Sequence, residues 1–500
     1  MYNTSFFSIV VVLAELCVGA SEIKWLERQP EGQDNGACLI LVSDTARTAG
    51  LEGSSRRFGE LGFHRVCLMG AQTLADVQAA VAEVRLQASV RKIDPERIGL
   101  VGCGEGAELV LKAATCSQRP VSSKGGAKHA NWCLALAPRL SEKAVADLDF
   151  DNRTCPTCFV GGADDCVASR GLMACYREFR KHRVPAEVHV RAGNASELAG
   201  LERAVEFMRQ LGFMGKVPGE SREIHVCHPD DTARTERQKL WPAGEIPDVQ
   251  KGQKYEPYLV WYIPERRMTR AIQVVCAGGG YGFCNFVEEA EPVAYRLNKK
   301  GMTVVSVKYR CPRPADGRPK HFSAWQDVQR AIRLVRSEAP KRGLDPDRIG
   351  VMGFSAGGHL SLMLAANARS SAYEPVDAFD SVSCKVQWAC PVYPAYVLTD
   401  GAEECNLHGG NDLSVRIVPE LSFDADTPPM CFVHGDRDGW ASMNSVVVWE
   451  HLMDRGLTSD VHTLAGRGHC FQVNAAPGTG SFTWVDRLWE FLSDRGFNRP

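Results

Sequence analysis

A surplus of charge of either sign is missing from this chain. Lys and Arg number 58 against 60 Asp and Glu, a formal net charge of −2, and the signs are mixed along the sequence. No basic field exists to gather nucleic acid or an anionic lipid surface, so neither partner is expected. Long apolar runs are also missing: beyond the N-terminus nothing approaches the ~20 apolar residues needed to cross a bilayer, so no membrane association is expected. The histidines form no HExxH or other metal spacing, and no G-x-G-x-x-G is followed by an acid at the proper distance. No metal and no cofactor is implied.

What is present is a soluble globular composition, 44% apolar and 24% charged over 500 residues, enough for two or three domains. Residues 1–20 read as a secretory signal, with an apolar run over 6–14 and Val18-Gly19-Ala20 where a peptidase would cut. The competing reading is a buried first strand, because the segment has no Lys or Arg and Glu15 interrupts the run. There are 19 cysteines, compatible with disulfides in an exported chain. Several, such as Cys38, Cys276 and Cys431, sit in strand-like apolar runs as small hydrophobes. The CxxC at Cys155–Cys158 has neither a second pair for zinc nor a redox helix start.

An internal repeat organises the chain. Residues 76–109 align with 327–360 at a constant offset of 251 without a gap, and 16 of the 34 pairs are identical. Residues 158–169 and 187–196 match 431–442 and 460–469 at an offset of 273. The chain therefore reads as a tandem duplication. A first domain is expected over 21–215, a Pro- and Gly-broken linker and lead-in over 216–255, and a second domain over 256–500. Each half alternates short Val- and Ile-rich strands with helical stretches. The expected fold class is α/β, with two tandem domains that each hold a mostly parallel sheet with helices on both faces.

Within the second half lies "GFSAG" (353–357), a G-x-S-x-G between a buried strand and a helix. That is the context in which a sharp turn presents a nucleophilic serine. A serine hydroxyl needs a histidine base, and the histidine needs a carboxylate to fix its tautomer. In the chain order Ser, acid, His, the candidates are Ser355, Asp438 and His469, each after a strand. Asp436 is the alternative acid. Asp438 is preferred because the first half keeps Asp165 there and has Ala163 opposite Asp436. Gly278-Gly279-Gly280 follow another strand, so an oxyanion hole is expected from the amide of Ala356 with that of Gly279 or Gly280. His359, His434 and His462 are expected to be structural.

These residues carry a resemblance. "AGGGYGF" (277–283), "KYRCP" (308–312), "DVQRAIRLVR" (327–336), "DPDRIGVMGFSAGGHL" (345–360), "YP" (393–394), "DTPPMCFVHGDRD" (426–438) and "GRGHCF" (466–471) make the second half similar to the α/β-hydrolase superfamily. Within it the likeness is to the hormone-sensitive-lipase-like and acetylxylan/feruloyl-esterase-like branch. The resemblance implies a serine carboxylic-ester hydrolase, with acyl esters of plant polysaccharide or related small esters as substrate class. It departs from the family's habit at Ala277, at Gly439-Trp440-Ala441 and at Cys470, all of which touch pocket shape. Residues 396–425 are expected to cap the pocket. In the first half Gly104 aligns with Ser355 and Ser196 with His469, so that half is expected to be inactive. The alternatives are a prolyl-oligopeptidase-type peptidase and a non-catalytic scaffold of two hydrolase-like domains.

Overall fold

The computed structural model describes residues 13–17, 22–43, 55–71, 73–115, 130–138, 140–164, 166–191, 197–214, 232, 234–249, 256–399, 417–439, 443–473 and 480–500. The chain divides into two compact units, residues 1–220 and 221–500.

In the first unit the strands are β1 (Leu13–Cys17), β2 (Glu22–Arg28), β3 (Cys38–Ser43), β4 (His64–Met69), β5 (Ile98–Cys103), β6 (Trp132–Leu136), β7 (Thr157–Gly162) and β8 (Ala186–Arg191). They lie in the order β1-β2-β4-β3-β5-β6-β7-β8. The β1–β2 and β2–β4 pairs are antiparallel and the rest parallel. The main helices are α1 (Leu74–Leu86), α2 (Glu105–Thr115), α3 (Cys166–Lys181) and α4 (Glu197–Leu211). β1 falls inside the expected signal: Leu13 pairs with Leu26 and Cys17 with Glu22.

The second unit holds β9 (Arg234–Lys239), β10 (Tyr258–Ile263), β11 (Ile272–Cys276), β12 (Thr303–Lys308), β13 (Ile349–Phe354), β14 (Trp388–Val392), β15 (Cys431–Gly435) and β16 (Asp460–Leu464). Their order is β9-β10-β12-β11-β13-β14-β15-β16, again with the first two pairings antiparallel and the rest parallel. The helices are α5 (Glu291–Lys299), α6 (Phe322–Glu338), α7 (Ala356–Ala366), α8 (Asn444–Met453) and α9 (Gly480–Asp494). Every residue of β11, β13 and β14 is buried, as parallel strands covered by helices must be. Among the described residues no helix is long and apolar enough to cross a membrane.

The two units share their strand order, and also local details that a Cβ would destroy. Gly350 packs beneath the Trp388 ring, and Gly99 packs beneath the Trp132 ring; an added Cβ would come within 1.9 Å and 2.2 Å of these rings. The amide of Ser355 donates to Val392 at the end of β14, and that of Gly104 donates to Leu136 at the end of β6, both at 3.1 Å.

Part of the expected linker and lead-in is folded. Inside 216–255, β9 pairs along its length with β10. Trp241 inserts its indole into the core, donating to Asp327 Oδ1 at 2.7 Å. That carboxylate also receives Arg310 Nε at 2.9 and 3.0 Å and the Arg310 amide at 2.7 Å. The guanidinium is completed by Ser323 O at 3.1 Å and Gln326 Oε1 at 2.8 Å. Arg310 and Asp327 are both buried. The "KYRCP" and "DVQ" motifs therefore meet in one ion pair that joins the end of β12, α6 and the lead-in.

No disulfide is formed among the described cysteines, and most of their thiols are buried while Cys470 is exposed. Burial pushes the Cys276 thiol well up from its ordinary range, so it stays protonated and packs as an apolar group.

Asp327→Ala leaves a buried guanidinium without its anion. We expect a loss of about 3–5 kcal/mol, read as a lowered denaturant midpoint for the second unit.

Candidate active site

β13 delivers the chain to Ser355, and α7 carries it away. Between them Ser355 adopts φ 52°, ψ −115°, a left-handed conformation that costs a non-glycine residue about 1–3 kcal/mol. Packing holds it there. A Cβ on Gly353 would lie 1.8 Å from Gly357 O, and one on Gly357 would lie 2.1 Å from Cys276 O. Only glycines let α7 sit this close to β11 and β13. The reversal leaves Ser355 at the head of α7, 8% exposed.

Two loops bring the other groups. After β16, His469 places Nε2 at 2.8 Å from Ser355 Oγ. Its Nδ1 lies 2.7 Å from Asp438 Oδ2, on the turn after β15. A carboxylate accepts only, so Nδ1–H donates to it, and Nε2 carries the lone pair that faces the serine hydroxyl. The Asp438 carboxylate has a second imidazole: His434 Nε2 donates to Oδ2 at 3.0 Å, and His434 Nδ1 accepts from Ser445 Oγ at 2.8 Å. Burial alone would raise the Asp438 carboxyl. Hydrogen bonds and charge from His434 and His469 outweigh it and hold the group well below the usual carboxylate range.

The glycine loop follows β11. Gly279 and Gly280 have φ of +119° and +59°, open to glycine but not to larger residues. No hydrogen bond within the described residues claims the amides of Gly279, Gly280 or Ala356. Gly278 differs: its amide donates to Glu289 Oε2 at 2.5 Å, and Glu289 Oε1 receives the Tyr393 hydroxyl at 3.0 Å. Glu289 is buried, and that burial raises its carboxyl against the opposing pull of Gly278, Tyr393 and His469. The Tyr393 ring stands edge-on to His469, with centroids 5.0 Å apart. The loop is also anchored by Tyr309, whose hydroxyl donates to Ala277 O at 2.7 Å.

The structure thus brings Ser355, His469 and Asp438 into one hydrogen-bonded chain, and the carboxylate on His469 is that of Asp438. Asp436 is buried two residues upstream, its amide donating to Leu464 O. His359 is buried against Tyr281, with Nδ1 2.8 Å from the phenol; burial holds it neutral. Sequence reasoning treats His434 as structural, passes over Glu289, and meets Tyr393 only within the "YP" motif, without a role. His434 was within reach, since it lies four residues before Asp438 on the same strand and turn. Glu289 sits in a π-turn before α5 that carries no motif. Asp165, Ser196 and residues 400–416 of the expected cap lie outside the described residues. Gly104 has φ +58°, the same left-handed turn as Ser355 with no side chain to present.

Residues 260–452 match the family model BD-FAE. An acetylxylan esterase of Xylanibacter ruminicola is 30% identical over 248 residues, covering 48% of this chain and 47% of that protein. The esterase LipQ of Mycobacterium tuberculosis is 31% identical over 235 residues, covering 42% of this chain and 52% of that protein. The chain spans about half the length of these curated relatives. A solved structure of an acetyl ester-xyloside bifunctional hydrolase from Caldicellulosiruptor lactoaceticus is 26% identical with a TM-score of 0.43, covering 53% of this chain and 97% of that chain.

The depressed Asp438 carboxyl gives a pH signature. A lowered folded-state value adds stability that is present above the unfolded value near ~4 and is lost as pH falls through the folded one. Asp438→Asn is therefore less thermally stable than wild type at pH 7. The gap between their unfolding midpoints narrows as pH is lowered below about 4. A gap that does not change with pH would refute this origin.

Proposed function

We propose that the second unit, a member of the esterase branch of the α/β-hydrolase superfamily, hydrolyses carboxylic esters through an acyl-enzyme on Ser355. The observation that carries this reading is the continuous chain Ser355 Oγ, His469, Asp438, with contacts of 2.8 and 2.7 Å. Ser355 attacks the ester carbonyl while His469 Nε2 takes its proton. His469 then returns that proton to the leaving alcohol, and in the second half it activates water. Asp438 holds the imidazole in the tautomer this requires and stabilises the imidazolium. The amide of Ala356, with that of Gly279 or Gly280, receives the oxyanion. Glu289, Tyr393 and His434 are positioning residues, the first two for the glycine loop and the last for the acid.

For the substrate we infer an acetyl or feruloyl ester on plant polysaccharide, or a related small ester. Support comes from the acetylxylan esterase named among the relatives. The first unit we read as a duplicated copy without hydrolytic function. Its shared strand order, its Gly99–Trp132 packing and its Gly104 turn support that reading. Export is also part of the proposal, supported by the apolar run and the small residues at 18–20; the β1–β2 pairing argues for retention instead.

A fluorophosphonate probe is expected to label the wild type and not Ser355→Ala. Hydrolysis of p-nitrophenyl acetate should fall by roughly 10⁴–10⁶-fold in that variant. An unlabelled, inactive wild type would sink the enzyme reading. A screen of acetylated and feruloylated saccharides against the same pair of proteins decides the substrate class. N-terminal sequencing of the mature protein settles export: a start after Ala20 supports it, and a retained Leu13–Cys17 overturns it.

A further inference from the structure

One turn beyond the nucleophile, α7 carries a histidine that ester hydrolysis does not use. His359 is 1% exposed. The Tyr281 hydroxyl lies 3.0 Å from Ala356 O and 2.8 Å from His359 Nδ1. A phenol has one proton. Both contacts are satisfied only if Tyr281 donates to Ala356 O and accepts from His359 Nδ1–H. The lone pair of His359 is then on Nε2. That atom is buried and has no hydrogen-bond partner among the described residues, a costly state for a polar atom unless something occupies the space in front of it.

Two other ligating groups face that space. Glu420 Oε1 is 3.9 Å from His359 Nε2, and the His321 ring is centred 5.3 Å from that of His359. One donor atom from each of the three residues falls within 4.8 Å of the others. A separation of 3.9 Å is too long for a hydrogen bond. Two donors that each sit ~2.0–2.2 Å from one tetrahedral cation lie ~3.3–3.6 Å apart, so a turn of the Glu420 side chain by a few tenths of an ångström brings the pair to ligating distance. The neighbouring cation, Lys320, lies 3.7 Å over the Tyr396 ring, near enough for its charge to act on both imidazoles.

We propose that His321, His359 and Glu420 bind one divalent transition-metal ion, with zinc the best match. Two imidazoles and a carboxylate are a borderline donor set that zinc favours over magnesium or calcium, and water completes the tetrahedron. Tyr281 orients His359 as the partners of metal-bound imidazoles do. The ligands come from the start of α6, from α7 and from the segment after residue 416, so no sequence spacing betrays them. The ion ties that segment to the helix that carries the nucleophile. It lies beside the glycine loop, since Tyr281 follows Gly280 and a Cβ on Gly280 would be 3.3 Å from the Tyr396 hydroxyl. The site does not depend on the ester chemistry.

The test is zinc binding by the full chain, stripped with chelator, dialysed and titrated with Zn²⁺, with metal content measured independently. Wild type and Ser355→Ala are expected to bind one equivalent tightly. His321→Ala and Glu420→Gln should lose that equivalent, and Tyr281→Phe should weaken it by about 10–100-fold. Co²⁺ should give the visible absorption of a four-coordinate site in wild type and not in Glu420→Gln. Glu420 is partly exposed, so its isosteric variant keeps the readout valid if His321→Ala misfolds. A wild type that takes up no tight zinc overturns the proposal. So does equal uptake by Glu420→Gln, which would mean that zinc sits elsewhere, for example on the exposed Cys470.

Discussion

The Ser355–His469 end of the second unit depends on one buried anion. Asp438 is fully enclosed, and a carboxylate taken out of water costs several kcal/mol unless its lone pairs are met. Two imidazoles meet those of Oδ2. His469 comes from the loop after β16, and His434 is the penultimate residue of β15. The anion thereby pins the ends of adjacent parallel strands to each other. Removing its charge would release the imidazole that it orients and the strand end that it anchors. His434 in turn is fixed by Ser445 on α8, so the tautomers of both histidines follow from one carboxylate and one hydroxyl.

A second constraint is steric. The serine turn exists because nothing larger than hydrogen fits at Gly353 and Gly357, and the glycine loop approaches it because Glu289 draws the Gly278 amide inward. That division of labour leaves Gly279 and Gly280 with amides that no hydrogen bond among the described residues claims. A buried acid thus shapes the loop from behind while the front faces the nucleophile.

Much of this was legible. Parallel strands announce themselves as short Val- and Ile-rich runs because both their faces are covered, and the order Ser, Asp, His follows from where such sheets put their loops. β9 was not legible, since "RTERQK" is a polar strand with its side chains largely in solvent. It is held by backbone pairing to β10 rather than by burial. Nor was the docking of Trp241, because a single tryptophan in a Pro- and Gly-broken stretch has no period. Glu289 and the His321, His359 and Glu420 grouping escaped for another reason: their partners are distant in sequence, and only the fold sets them side by side.

The turn at Gly104 has a consequence of its own. A left-handed residue with a side chain stores strain, whereas glycine in the same conformation stores almost none. The first unit has a turn hydrogen-bonded to the neighbouring strand just as Ser355 is, without that tension. In that half the bend is a relaxed shape, yet its flank is as confined as in the other, since a Cβ on Gly102 would lie 2.3 Å from Gly106 O. In the second unit the same bend is held under load by its serine, so sterics fix the path of the chain in both halves and only one of them carries strain.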